Sequence, residues 1–199
     1  MYKRQGISTG LTQGFSIQLS QYYGAKDFEN LRKSLAHSYR LTAFIAAGVL
    51  ILSQSFASLV LTGLHTPSNI IGMSLLYLRI IFCGIPATAA YNMFASALRA
   101  MGNSKTPLTA MIIASVLNVS LDILFVAGFG WGVAGAAIAT VIAQSFSAVY
   151  CFLILRRIDI VHLTRADFMP ASGMNARLMK LGIPVVFQNI IIGVGGLVV

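Results

Sequence analysis

The sequence predicts an all-α fold, a polytopic bundle of transmembrane helices. Three observations lead there. Hydrophobic residues fill 57% of the 199 positions and charged residues only 10%, against about 25% charged in an ordinary soluble domain; mean hydropathy is +0.80. The apolar residues lie in continuous runs of roughly twenty, the length a helix needs to cross the hydrocarbon core. The cations stand in short blocks between those runs, instead of gathering on one soluble face as a nucleic-acid partner would require. So few charges cannot cover a soluble domain, which excludes a typical cytosolic enzyme, a disordered tail and a disulfide-stapled secreted module. A transmembrane barrel needs alternating segments of about ten residues; the runs are unbroken and twice as long, so helices are the spanning elements.

The elements follow in order. Residues 6–24 are uncharged but rich in Ser, Thr, Gln and Gly, making this the weakest span. The basic start that precedes it has no compact apolar stretch and does not read as a signal peptide. Residues 41–63 form a strong span, bounded by Arg40 and His65, and Pro67 fits the hairpin after it. The third span covers 73–98, with Pro86 inside it as a kink. Residues 106–155 hold no Lys or Arg and are too long for one crossing; three glycines in Gly128-Phe129-Gly130-Trp131-Gly132 divide them into spans 107–127 and 133–155. Pro107 suits a first helical turn. Gly135, Ala136, Ala137, Ala139 and Thr140 form a small-residue stripe that lets helices approach closely. A basic segment, 156–180, leads to a last apolar run, 181–199, with Pro184 near its start.

Loop charge sets orientation. Lys26, Arg32, Lys33 and Arg40 lie in one inter-span segment, Arg99 and Lys105 in another, and Arg156, Arg157, Arg165, Arg177 and Lys180 in a third. These alternate with 65–69 and 128–132, which carry no Lys or Arg, so the basic segments are expected to face the cytoplasm in a multi-pass plasma (inner) membrane protein. Arg79 snorkels to the outer interface.

No catalytic arrangement is present: there is no G-x-S-x-G elbow, H-E-x-x-H, phosphate loop or dinucleotide fingerprint, and an enzyme is not expected. Cys83 and Cys151 sit in apolar runs without ligand-spaced partners and read as small buried hydrophobes. His37, His65 and His162 fall in loops or at interfaces.

The informative residue is Asp122. Counted along a helix from Pro107 it lies roughly 22 Å in, in the outer half of the bilayer, where a charge costs at least about 2.5–3.5 kcal/mol. Such a carboxyl is protonated, paired, or open to water or a cation. Asn118, one turn earlier on the same face, offers both a donor and an acceptor. Asp122 and Asn118 therefore form a candidate coupling site for H+ or Na+, with a neutral Asp acting as interhelical glue as the alternative. Tyr77, Asn92, Thr140, Gln144 and the Ser53-Gln54-Ser55 cluster are further polar groups in the spans that could line an aqueous cavity.

Thr9-Gly10-Leu11-Thr12-Gln13-Gly14-Phe15-Ser16 with Gln21-Tyr22-Tyr23-Gly24-Ala25-Lys26 resembles the second helix and following loop of the multidrug and toxic compound extrusion (MATE) family. Tyr77-Leu78-Arg79-Ile80 with Gly84 and Pro86 resembles its fourth helix, and Leu98-Arg99-Ala100-Met101-Gly102-Asn103-Ser104 the loop into its fifth. Asn118-x-x-x-Asp122-x-x-Phe125, followed by Gly132-Val133-Ala134-Gly135-Ala136-Ala137-Ile138-Ala139-Thr140, resembles the fifth helix, hairpin and sixth helix. The resemblance implies a secondary antiporter that exports amphipathic organic cations in exchange for H+ or Na+, needing no cofactor beyond that ion. It implies a coupling site at Asp122 and Asn118 with Thr140 and Tyr77. It further implies that 1–155 is most of an N-terminal lobe lacking its first helix, 156–180 the cytoplasmic interlobe linker, and 181–199 the opening of a C-terminal lobe. The partners expected are therefore the bilayer, small organic cations, the missing first helix and the C-terminal lobe. A lipid-linked saccharide flippase of the same superfamily, or a non-functional truncated frame, are the alternatives; a flippase cavity would carry several cations, and only Arg79 is a candidate.

Overall fold

The computed structural model describes residues 6–63, 70–168, 176 and 178–185. Six long helices carry the chain: α1 (Gly6–Gly24), α2 (Phe28–Gly63), α3 (Ile71–Cys83), α4 (Ile85–Ala100), α5 (Lys105–Asp122) and α6 (Gly132–Arg156). A π-helical segment, Ile123–Gly128, continues α5, and two short 3-10 turns, Asp159–Val161 and Arg165–Phe168, follow α6. Among the described residues there is no strand. Among the described residues four stretches are long and apolar enough to cross a membrane: Phe28–Leu59, Ile71–Ala100, Lys105–Gly128 and Gly132–Arg156. The Ser- and Gln-rich α1 is not among them, in keeping with its being the weakest candidate.

Boundaries differ from the sequence reading in instructive places. The basic segment before the second span is helix, not loop: α2 begins at Phe28 and runs unbroken for 36 residues. Its start is fixed by Asp27, whose carboxylate accepts the Asn30 N–H at 3.1 Å and the Asn30 side-chain amide at 2.7 Å. Those bonds from Asn30 hold the Asp27 carboxyl below its ordinary range. Charge patterning had marked where the chain leaves the bilayer, not where the helix stops.

The third span is one crossing in two pieces. Pro86 lacks the N–H that would bond to the Phe82 carbonyl, and α3 gives way to α4 at Gly84. The Gly84 N–H turns to the Ile81 carbonyl at 3.0 Å, and Gly84's own carbonyl accepts the Thr88 N–H at 3.0 Å. At the α4–α5 turn, Gly102 takes φ +83 and Asn103 returns its N–H to the Leu98 carbonyl at 2.9 Å, a glycine-capped helix end. Asn103 then caps α5, accepting the Thr106 N–H at 3.1 Å. Pro67 and 186–199 of the last apolar run lie outside the described residues.

α4 packs on α1, α2 and α6, while α6 packs on α3, α4 and α5. The buried face of α6 is made of Gly135, Ala137, Ala139, Ala143, Ser147, Ala148, Cys151 and Leu155, so the small-residue stripe is a packing surface. At Gly135 the fit is close: a methyl there would stand 2.9 Å from Phe125 Cβ and 3.1 Å from Trp131 Cβ. Large buried side chains gather at the basic end, where Phe15, Leu19, Leu31, Leu35, Met93, Leu98, Leu155 and Leu178 form one core. Elsewhere α5 turns Leu108, Ile112, Val116 and Val119 outward, the surface lipid would cover. Near the far end of α5, Phe125 stacks on Phe129 and Trp131, centroids 6.0 and 5.1 Å apart.

Gly135→Val is expected to cost about 1–3 kcal/mol through overpacking, read as a lower melting temperature in detergent; an unchanged melt would mean the α5–α6 hairpin yields freely. Trp131, the chain's single tryptophan and half exposed, is expected at headgroup depth. Lipids brominated near the glycerol should then quench its fluorescence more than lipids brominated near the bilayer centre, and the reverse order would refute that placement.

Candidate functional site

A cavity of about 260 Å³ opens between α4, α5 and α6. α4 lends it Thr88, Tyr91 and Asn92; α5 lends Met111, Ala114, Ser115 and Asn118; α6 lends Thr140, Ala143, Gln144 and Ser147. The positions on α5 recur every three or four residues, so one helical stripe faces inward while the rest of α5 faces out. Among the described residues no Lys or Arg lines the cavity.

Its polar groups are cross-linked. Thr140 donates its hydroxyl to the Ala136 carbonyl at 2.9 Å, which leaves that oxygen as an acceptor. Asn118 donates its side-chain N–H to it across a long 3.5 Å. With the amide nitrogen turned toward Thr140, the Asn118 amide oxygen is left as an acceptor. On the opposite wall Thr88 donates to Gln144 Oε1 and joins α4 to α6. Tyr91 donates to the Pro107 carbonyl at 3.2 Å and ties α4 to the start of α5.

Asp122 lies one turn beyond Asn118, where α5 gives way to the π-helical segment. It does not line the cavity but follows directly on its inward stripe. Its Oδ1 is buried and has no hydrogen-bond donor among the described residues. Asn92 presents the complementary deficit, a buried Nδ2 without an acceptor. A buried oxygen without a donor costs about 1–3 kcal/mol, so the arrangement suits an occupant such as a proton, a water or a small cation. Residues 123–128 in π-helix were not legible in the sequence; π-turns are frequent at functional sites and re-aim the side chains beside them.

The structure therefore gathers Asn118, Thr140, Asn92 and Gln144 around one cavity and sets Asp122 a turn past its edge. It places Gln54 elsewhere: that amide donates to the Arg79 carbonyl at 3.0 Å and to Cys83 Sγ at 3.3 Å, bracing α2 against α3. Gln54 does not line this cavity, and neither does Tyr77, which sits half-buried on α3. Sequence reasoning missed Thr88, Tyr91 and Ser147; the α4 pair lies three residues apart on the stripe that Asn92 borders, a periodicity that could have found them.

Apolar spans wrapped around a polar cavity define a polytopic membrane protein. The MatE family model matches residues 5–124. The probable multidrug resistance protein YpnP of Bacillus subtilis is 32% identical over 183 residues, which is 92% of this chain and 41% of that protein. Two solved structures of a multidrug resistance MATE family transporter of the MOP superfamily, inward-facing and outward-facing, share the fold with TM-scores of 0.86 and 0.85. Each is 24% identical, with 93% of this chain and 42% of that one covered. The chain belongs to the MatE family, and it spans about two fifths of the length of these relatives.

Asp122→Asn keeps the side-chain shape and removes the charge. Its melting temperature should stay within about 2–4 °C of the parent while any stabilisation by added Na+, or by a shift in pH, disappears. A variant that keeps the full ion response would make Asp122 a structural residue.

Proposed function

We propose that this chain builds part of the first lobe of a secondary antiporter, one that exports amphipathic organic cations in exchange for H+ or Na+. The observation that carries the reading is the Asp122 carboxyl, which has a buried oxygen without a donor and stands one turn from the Asn118–Thr140 pair at the edge of a polar cavity. A coupling ion needs a group that is neutral or neutralised while buried and anionic when open to water. Asp122 supplies the charge, and the Asn118 amide oxygen supplies a second ligand for Na+ or an acceptor for a proton-bearing water. Thr140 orients Asn118. A cavity with no Lys or Arg and with Met111, Ala114 and Ala143 on its walls suits an apolar cation better than a phosphate, which weighs against the flippase alternative. Nothing in the site has the nucleophile–base geometry of an enzyme.

Alternating access needs two lobes moving about a central site, so the activity proposed is that of a two-lobe protein whose first lobe includes this chain. The bilayer is its solvent. By the distribution of Lys and Arg its basic end faces the cytoplasm, in the plasma membrane of a bacterial cell.

The test is efflux of a fluorescent organic cation such as ethidium from cells expressing the complete protein. The parent should lower dye accumulation, and Asp122→Asn should remove about tenfold or more of that transport. In liposomes, separate pH and Na+ gradients identify the coupling ion. Dye efflux that survives Asp122→Asn would sink the coupling role. Accumulation of a lipid-linked precursor on deletion, without any change in dye efflux, would favour the flippase.

A further inference from the structure

Helix 178–185 reaches across α1 at a contact of unusual closeness. Gly14 and Gly182 are both buried, and they meet backbone to backbone. A methyl built on Gly14 would overlap the Gly182 Cα and stand 2.8 Å from its amide nitrogen and 2.9 Å from the Leu181 carbonyl oxygen. Only a pair of glycines permits this approach. One turn earlier, on the same face as Gly182, Leu178 is wholly buried in the core that holds Phe15 and Leu19.

The chain leading to this contact is pinned to the same lobe. Asp167 is 5% exposed and accepts the Thr164 N–H at 2.7 Å and the Thr164 hydroxyl at 2.8 Å, with Arg32 Nε of α2 at 3.9 Å from its other oxygen. Arg40, also on α2, donates to the Phe168 carbonyl at 2.9 Å. Two residues after the glycine contact comes Pro184, which is exposed and has no N–H for the Lys180 carbonyl. The helix is thus fastened up to Gly182 and weakened immediately beyond it.

We propose that the Gly14–Gly182 crossing is the pivot on which the second lobe turns against the first. This rests on the two-lobe antiporter reading. Interdigitated side chains would have to disengage and repack for two helices to change angle. Two bare backbones in contact can roll on one another without any such repacking, and the bend that Pro184 allows takes up the remainder.

The test uses the complete protein in lipid nanodiscs and in cells. Gly14→Ala and Gly14→Val should lower ethidium efflux in order of size, by about threefold and about tenfold, while the dye dissociation constant moves less than about twofold. Full efflux by Gly14→Val overturns the pivot. Should that variant fail to fold, hydrogen exchange of the wild type decides: peptides covering 10–20 and 178–185 should keep the same protection at the pH values, or with and without Na+, that favour each face. Loss of protection in one state would show that the contact opens, and would overturn the proposal. Absence of ethidium efflux by the wild type, with protection unchanged, would instead count against the antiporter reading.

Discussion

Hydrocarbon offers no hydrogen bonds, and that single constraint organises this molecule. Every backbone N–H and C=O in the bilayer must find its partner within its own helix or from a neighbour. Most of the chain obeys in the simplest way, as four unbroken or nearly unbroken crossings. The departures are few and grouped. The third crossing is interrupted at Gly84, where α6 covers the break and Val141 lies 2.9 Å from where a glycine methyl would be. α5 loosens into a π-turn directly after its only carboxylate. Helix 178–185 carries Pro184 two residues past Gly182. Two of these irregularities flank the polar cavity, and the third lies beside the Gly14–Gly182 contact, so the departures from regular helix gather at the places given a proposed role.

The face of α6 makes this possible. Its glycine, alanines and serine bring α3, α4 and α5 close on one side, and the few hydroxyl and amide groups among them face the cavity. Larger residues on that face would push the helices apart and fill the space a guest needs. A bundle whose cavity is lined from three helices by small and polar groups can hold a void without a large core around it. The bulky core is placed instead at the basic end, where helix termini converge.

Much of this was legible in the sequence. Composition and run length fix the class, because lipid tolerates so few solutions. Asp122 and Asn118 stand out because a carboxyl inside an apolar run has to be explained. The small-residue stripe and the Pro86 kink follow from elementary helix sterics. What stayed hidden depended on the third dimension. Gln54 looks like a cavity residue in one dimension, yet its helix phase turns it to α3, where the Arg79 carbonyl takes it up. The helical start at Phe28 was obscured because charged residues between spans suit a loop and an emergent helix equally. The π-turn leaves no compositional mark at all, and the Gly14–Gly182 approach joins residues far apart in the chain.

The length of α2 carries a last implication. Thirty-six residues make a rod of roughly 54 Å, and the hydrocarbon layer is only about 30 Å thick. Several turns must therefore stand clear of the acyl chains like a mast, with Arg32 and Arg40 on its flank. The turns at 159–168 are moored to that mast through Arg32 and Arg40. Asp167 is 5% exposed and its Arg32 partner only one third exposed, so dissolved salt loosens this mooring far less than it would an exposed ion pair, and the crossing of bare backbones is indifferent to salt altogether.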